Sequence, residues 1–359
     1  MAKKMIIIWL FAIVMLFSTV SASAADDIRG DFFIKNIIIN GEKIINYNLQ
    51  YSVVLADDVM YLPLTPEMCE IYGLEAEMNR ETRELKLIKG ESTRKNISGN
   101  NLKNDVVPLS LSEIEGAKVS IYEKEASFYI FDTLEKVEVP EMKLGELDLK
   151  GLPLLGKDKI VYIPLRALAE SEHLNWDIHF SNYYGICLST DKSIPAETYF
   201  DRKEALENQG LVNYIIRYNK AIVPSYGQQL VFLFKRAGEV YGVDPRLLMA
   251  VAHAESRFNT GASGRGGSAG MMQVMPKTGE RYGLTVEQLM DPKTAIDFGA
   301  MYLSERIAAY DGDWNLALSA YNQGSTRVNR GTYSSAYANK VMSHYDGIEK
   351  YLQTNGFVL

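Results

Sequence analysis

Cysteine and histidine are scarce in this 359-residue chain. Cys69 and Cys187 stand 118 positions apart, and four histidines are scattered at 173, 179, 253 and 344. That spacing excludes a zinc ribbon, and no metal site or metal cofactor is expected. A secreted chain could pair the two cysteines, but their spacing alone establishes no bond. No GK[ST] sequence is present, so there is no P-loop. Residues Gly264-Arg265-Gly266-Gly267-Ser268-Ala269 match GxGxxA loosely, but they follow a helical pattern rather than a strand, which excludes a dinucleotide site. After the first two dozen residues no apolar run approaches membrane-spanning length. Positive charge is also short over residues 25–220, which hold 23 basic and 33 acidic side chains, net −10. Such a segment does not suit nucleic acid or another anionic polymer.

What is present begins with an export signature. Lys3 and Lys4 precede the 13-residue apolar run from Met5 to Phe17, and Ala22-Ser23-Ala24 offers small residues for cleavage. Residues 1–24 therefore read as a signal peptide, and the mature chain is expected to be secreted or cell-wall associated, or periplasmic in a two-membrane cell. Phe33 to Ile39 is strand-like, and Asn40-Gly41 marks a hairpin turn before Lys43 to Ile45. Residues 51–62 read as a second hairpin, turning near Asp57-Asp58.

An internal repeat follows. Tyr61, Pro63 and Leu64 match Tyr162, Pro164 and Leu165 at an offset of 101, and Leu85 and Leu87 match Ile186 and Leu188 at the same offset. Each copy reads as strand, short helix, strand, tight turn, strand. Residues 89–110 read as a loop between copies, and Ala126 to Phe131 as a further strand. The repeated unit resembles the copper amine oxidase N-terminal-like domain; with no His/Cys cluster, that resemblance carries no expectation of copper. The expected architecture is multi-domain. It has a β-rich α+β region of duplicated units over 25–193, a helical connector over 194–222 (helices 196–208 and 211–220 split at Gly210), and an all-α domain over 223–359.

The most informative stretch is Tyr241 to Pro276. Asp244 can cap a helix that Pro245 begins, since proline at the first position forfeits no bonded N–H. Leu248, Val251, Ala252 and Glu255 then occupy one helical stripe, which turns a carboxylate toward the buried side. Burial and a place in the last helical turn both disfavour the anion, so Glu255 is a candidate general acid. The glycine-rich segment 261–270 reads as backbone passing close to a ligand or a helix. Asp291-Pro292 starts another helix, with Asp291 as its cap.

Glu255-Ser256, Gly270-Met271-Met272-Gln273-Val274-Met275-Pro276 and Ala320-Tyr321-Asn322-Gln323-Gly324, taken in order, resemble the lytic transglycosylase (SLT) domain, a relative of goose-type lysozyme. The resemblance spans roughly 223–351 and implies a lysozyme-like fold. It also implies a substrate, the β-1,4 bond between N-acetylmuramic acid and N-acetylglucosamine in peptidoglycan glycan strands. Glu255 would protonate the leaving oxygen while the sugar's own N-acetyl oxygen stabilises C1. As a carboxylate it would then take the 6-hydroxyl proton while a 1,6-anhydro ring closes. The same resemblance implies substrate contacts from Ser256, Met272, Gln273, Met275, Tyr321, Asn322 and Tyr337. Family members often carry serine nine residues after the acid, where this chain has Gly264, and Ser263 or Ser268 could compensate. Two other readings stay open at this stage. One is a muramidase on the same fold, using Asp297 or Asp311 as base; the other is a wall-binding protein without turnover.

Overall fold

A computed structural model of the chain describes residues 27–90, 92, 108–124, 128–130, 135–137, 141–264 and 266–358. The signal-like segment 1–24, most of the loop 89–110, and Ala126, Ser127 and Phe131 of the expected strand lie outside the described residues.

The chain opens with β1 (Ile28–Phe32), β2 (Asn36–Ile39) and β3 (Glu42–Ile44). The hairpin of β4 (Val54–Ala56) and β5 (Val59–Pro63) leads into α1 (Pro66–Tyr72), β6 (Leu74–Asn79) and β7 (Glu84–Lys89). β8 (Leu109–Glu113), β9 (Lys118–Glu123), β10 (Phe128–Ile130), β11 (Glu135–Val137) and β12 (Met142–Glu146) follow. The second repeat supplies β13 (Leu155–Lys157), β14 (Ile160–Pro164), α2 (Leu165–Ala169), β15 (Asp177–Ser181) and β16 (Gly185–Ser189). Both expected turns form. Asn40-Gly41 (φ 52° and 86°) and Asp57-Asp58 (φ 49° and 61°) take the left-handed geometry that matches the twist of hairpin strands. The strand expected over 33–39 is instead broken, with Phe33 to Lys35 linking β1 to β2.

Six strands close a barrel in the order β1-β4-β5-β14-β13-β8, which removes exposed sheet edges. The repeats meet where β5 pairs antiparallel with β14, Tyr61 opposite Pro164 and Leu62 opposite Ile163. Strand alternation explains the repeated sequence. Tyr61 and Tyr162 belong to the cluster with Leu111 and Leu155, whereas Leu62, Leu64, Ile163 and Leu165 belong to the cluster with α1 and α2. After each of these strands comes a helix and a hairpin. β7 then runs parallel to β9, and β16 runs parallel to β2, giving sheets β12-β9-β7-β6 and β15-β16-β2-β3. Cys69 and Cys187 are buried and unpaired. Burial pushes their thiols up to about 12 and about 11, so neither is a thiolate at neutral pH.

The rest is helical: α3 (Arg202–Tyr218), α4 (Pro224–Tyr241), α5 (Pro245–Ser256), α6 (Pro276–Glu280), α7 (Val286–Met290), α8 (Pro292–Ala309), α9 (Trp314–Gln323), α10 (Ser325–Asn329) and α11 (Ala336–Thr354). α5 is the central helix. Leu247 to Ala252 are each at 0% exposure, as an all-round apolar helix requires, and α4, α8 and α11 surround it.

The expected connector proves to be part of this core. α3 runs unbroken through Gly210, because Leu352 and Phe357 pack where a side chain would stand; a Cβ there would lie 2.5–2.6 Å from them. α3 also buries Leu211, Val212, Tyr214 and Ile215, and the Tyr214 hydroxyl bonds His253 Nδ1 at 2.9 Å. The helical core therefore starts upstream of Val223. Burying those four side chains is worth about 1.5–3 kcal/mol each, a sum comparable to a whole domain's stability. A chain starting at Val223 should melt far below one starting at Ile194, or fail to fold. Equal melting curves by circular dichroism would show α3 to be dispensable.

Candidate active site

α5 begins as its sequence demands. The Asp244 side chain accepts from the Arg246 N–H at 2.7 Å, and Pro245 takes the first helical position. It ends where Arg257 turns left-handed (φ 53°), leaving Glu255 in the last turn on the stripe of Leu248, Val251 and Ala252. Glu255 is half-buried. Burial raises its pKa above the ordinary carboxylate value, partly opposed by two groups from α11. The Tyr337 hydroxyl donates to Glu255 Oε1 at 2.6 Å, and the Lys340 ammonium, which donates to the Ala254 carbonyl, adds a nearby positive charge. Desolvation outweighs these, so the acid form is favoured to higher pH than for a free glutamate.

Glu255 faces a cleft of about 240 Å³ shared with Ser268, Gln273, Met275, Tyr321 and Asn322. Val274, Thr278, Phe298 and Tyr302 complete it. Asn322, one residue before the end of α9, has no hydrogen-bond partner among the described residues, so its amide is available to a ligand. Met275 is 45% exposed at the rim. The Tyr321 hydroxyl donates to the Met272 carbonyl at 3.3 Å, which holds its ring in the wall. Two residues on, Gln323 bonds both the carbonyl and the N–H of Ser334, fixing the chain that enters α11 and so the place of Tyr337.

Three residues expected to touch substrate, Ser256, Met272 and Tyr337, are not among the cleft-lining residues, and Tyr337 instead reaches Glu255 through its hydroxyl. Ser256 turns inward: its hydroxyl donates to the Met271 carbonyl at 2.7 Å and clamps the end of α5 to the following segment. Met272 is at 0% exposure and packs on Gly299 of α8, so it is core beneath the cleft. Gln273 does line the cleft, but its amide is engaged. Nε2 donates to the Ala262 and Gly270 carbonyls at 3.1 and 2.9 Å, and Oε1 accepts from Ser268 Oγ at 2.7 Å. Gln273 thus shapes the glycine-rich segment.

That segment is folded tightly, as expected of backbone passing close to a helix. A Cβ on Gly270 would fall 1.8 Å from the Leu289 carbonyl oxygen at the end of α7. A Cβ on Gly264 would fall 2.2 Å from both Ser268 Oγ and Gln273 Oε1. The missing side chain at 264 is therefore not a void, since the Ser268–Gln273 pair fills the space. Ser268 reaches the cleft wall and Ser263 does not. Phe298 and Tyr302 were not singled out from sequence. They sit at i and i+4 on α8, where spacing alone cannot distinguish a cleft wall from core.

Neither candidate base stands in the cleft. The Asp297 carboxylate is bound by Arg236 at 2.6 Å and Lys293 at 3.5 Å, with Arg236 almost fully buried. Asp311 lies in the turn between α8 and α9, and Asp291 caps α8 by accepting from Thr294 N and Oγ1, both at 2.8 Å. Among the described residues no group of three His, Cys, Asp or Glu side chains could hold a metal ion. No helix among them is long and apolar enough to cross a membrane.

The chain is 38% identical over 108 residues to a transglycosylase of Enterobacteria phage PRD1, covering 30% of this chain and 40% of that protein. It is 36% identical over 125 residues to the X polypeptide of Escherichia coli, covering 32% of this chain and 73% of the relative. Membrane-bound lytic murein transglycosylase F of Ectopseudomonas mendocina aligns at 25% identity over 236 residues, covering 59% of this chain and 46% of that one. The chain thus spans less than half the length of the phage PRD1 and Ectopseudomonas relatives. Among solved structures, the soluble lytic transglycosylase SLT70 of Escherichia coli matches at 22% identity and a TM-score of 0.32, over 42% of this chain and 30% of that one. Residues 232–341, which hold Glu255, the glycine-rich segment, Tyr321 and Tyr337, match the model of the transglycosylase SLT domain, and the chain belongs to that family.

Proposed function

We propose that this chain is a peptidoglycan lytic transglycosylase. It cleaves the β-1,4 bond between N-acetylmuramic acid and N-acetylglucosamine and leaves a 1,6-anhydro end. One observation carries the reading: among the described residues lining the cleft, Glu255 is the only carboxylate, and its pKa is raised. A hydrolase of the usual kind needs a second carboxylate to act as nucleophile or to hold a water. With no second carboxylate in the cleft lining, Glu255 itself protonates the leaving oxygen and then, as an anion, accepts the proton of the substrate's 6-hydroxyl. Tyr337 suits both stages, since its hydroxyl donates to the carboxylate and can accept from the protonated acid. Asn322 and Met275 are the substrate contacts, while Gln273 and Ser256 position the wall. Residues 1–24 serve as the signal for action outside the cytoplasm, and residues 25–193 are a pair of copper amine oxidase N-terminal-like units. Nucleic acid is not a partner of the acidic region.

Glu255→Gln should lower kcat by at least about 10³-fold while keeping glycan binding, because it removes the proton donor and preserves shape. The same change should alter stability in a pH-dependent way. A carboxyl group whose folded pKa is raised stabilises below its unfolded pKa and loses that contribution as pH rises through the folded value. Glu255→Gln should therefore raise the melting temperature at pH 8 and not at pH 4. Retained turnover would end the assignment of Glu255.

Tyr337→Phe removes a donor that favours the anion. The alkaline limb of the kcat/KM profile, where Glu255 loses its proton, should move to higher pH as activity drops. An unmoved limb would mean that a different group titrates.

The product decides between transglycosylase and muramidase. Held against C1, the 6-hydroxyl acts at an effective concentration of about 10⁵ M or more in well-oriented cases, so it outcompetes a water that no base holds. Digestion in ¹⁸O-water should yield anhydro muropeptides without label. Dominant labelled reducing ends would make the enzyme a hydrolase.

A further inference from the structure

A second cavity among the described residues lies away from the cleft. It measures about 780 Å³ and is walled by both halves of the chain. Lys35, Met60 and Phe180 come from the β-rich half; Gln229, Leu233 and Lys293 come from α4 and α8. Its volume falls in the range of small-ligand sites, which concentrate between domains.

Two features give the cavity a chemical character. The first is an unmatched cation. The Lys35 ammonium is half-buried and rests on neutral oxygens, Asn182 Oδ1 at 3.3 Å and Gln228 Oε1 at 3.5 Å, with the Phe180 ring centroid 5.3 Å away. Among the described residues no carboxylate pairs with it, and burial lowers its pKa. A cation drawn partly out of water without a counter-ion is a place for an anion. The second is apolar surface beside opposite charge. Phe180 is 51% exposed, and Asp58, on the turn of the β4–β5 hairpin, is without an ion-pair partner among the described residues. A ligand carrying a carboxylate, an amine and small apolar groups would satisfy all of these; an uncharged glycan would leave Lys35 unmatched.

The cavity also sits within reach of the cleft. α8 starts at the cavity with Lys293 and lines the cleft with Phe298 and Tyr302. At a rise of about 1.5 Å per residue these lie about 8 and 14 Å along the helix axis, and a peptide of four residues extends about 13 Å.

We propose that this interdomain cavity binds the short peptide borne by peptidoglycan, its carboxylate on Lys35 and its apolar side chains on Phe180, with Asp58 taking the amine. The assignment rests on the reading of the chain as acting on peptidoglycan. It makes the β-rich half a substrate-recognition module that reads the peptide while the helical half cuts the sugar chain.

The test uses the full chain carrying Glu255→Gln, titrated by calorimetry with a free peptidoglycan tetrapeptide and separately with a peptide-free N-acetylglucosamine oligosaccharide. The tetrapeptide should bind. Adding Phe180→Ala or Lys35→Gln should weaken it about tenfold, the weight of one charge-assisted or well-buried contact. Oligosaccharide affinity should not change. Phe180 is exposed, so its truncation spares the fold and decides the matter if Lys35→Gln is unstable. No tetrapeptide binding, or equal binding by parent and Phe180→Ala, overturns the proposal. Turnover of intact, peptide-bearing peptidoglycan by the wild-type chain is measured in parallel. Its absence would sink the proposed activity whatever the peptide does, so the two readings fail separately.

Discussion

The helical half depends on one unfavourable act, the partial burial of Glu255 at the end of α5. The carboxylate stands at the end of a helix in which six successive residues, Leu247 to Ala252, are at 0% exposure. Their packing against α4, α8 and α11 anchors the helix that carries Glu255. α11 completes the arrangement with one contact per turn. Tyr337 bonds the carboxylate, Lys340 bonds the carbonyl beside it, and His344 stacks on His253 with ring centroids 3.8 Å apart. His253 is held neutral, its pKa lowered to about 4 by burial and by His344, Arg257 and Lys340. The proton that matters in this region is therefore the one on Glu255.

Around that acid, most polar residues of the shared motifs face inward. Ser256, Gln273 and Gln323 each spend their side chains on backbone groups, and Ser268 spends its hydroxyl on Gln273. They give the glycine-rich segment and the entry to α11 a single shape. That leaves Asn322 with a free amide in the wall. A motif rich in amides and hydroxyls is here mainly a device for holding backbone, a consequence of the cost of leaving buried carbonyls unmatched.

What was legible in the sequence follows from this division. The start of α5 and the inward turn of Glu255 could be read because helical periodicity is a local property. The placement of Met272 and Ser256 could not. Gln273 has φ 46°, and a left-handed residue inside a tight turn cancels any inference from alternation about which neighbour faces the cleft. Gly210 misled for the opposite reason. Glycine reads as a helix break, yet α3 needs it so that Leu352 and Phe357 can approach. In the β-rich half the 101-residue offset revealed two copies of one unit. It carried no information on barrel closure, because the β5–β14 pairing depends on contacts between copies, far apart in the chain.

The two halves are joined by apolar and polar contacts together: Ile38, Tyr184 and Cys187 share a buried cluster with Ala205 of α3, and Ile34 and Tyr183 pack on the helical core. Glu204 at the start of α3 accepts from Asn36 at 3.0 Å and pairs with Lys235 of α4. Burial pushes Glu204 upward, but Lys235 and these hydrogen bonds outweigh it and hold the carboxyl below its ordinary value. Asn208 reaches across to the Tyr183 carbonyl at 2.7 Å, and Arg236 lies 5.5 Å from the Tyr47 ring centroid. The interdomain cavity is walled from both sides, so the same contacts set its width. α8 begins at this cavity with Lys293 and carries Phe298 and Tyr302 into the cleft lining, so one helix borders both.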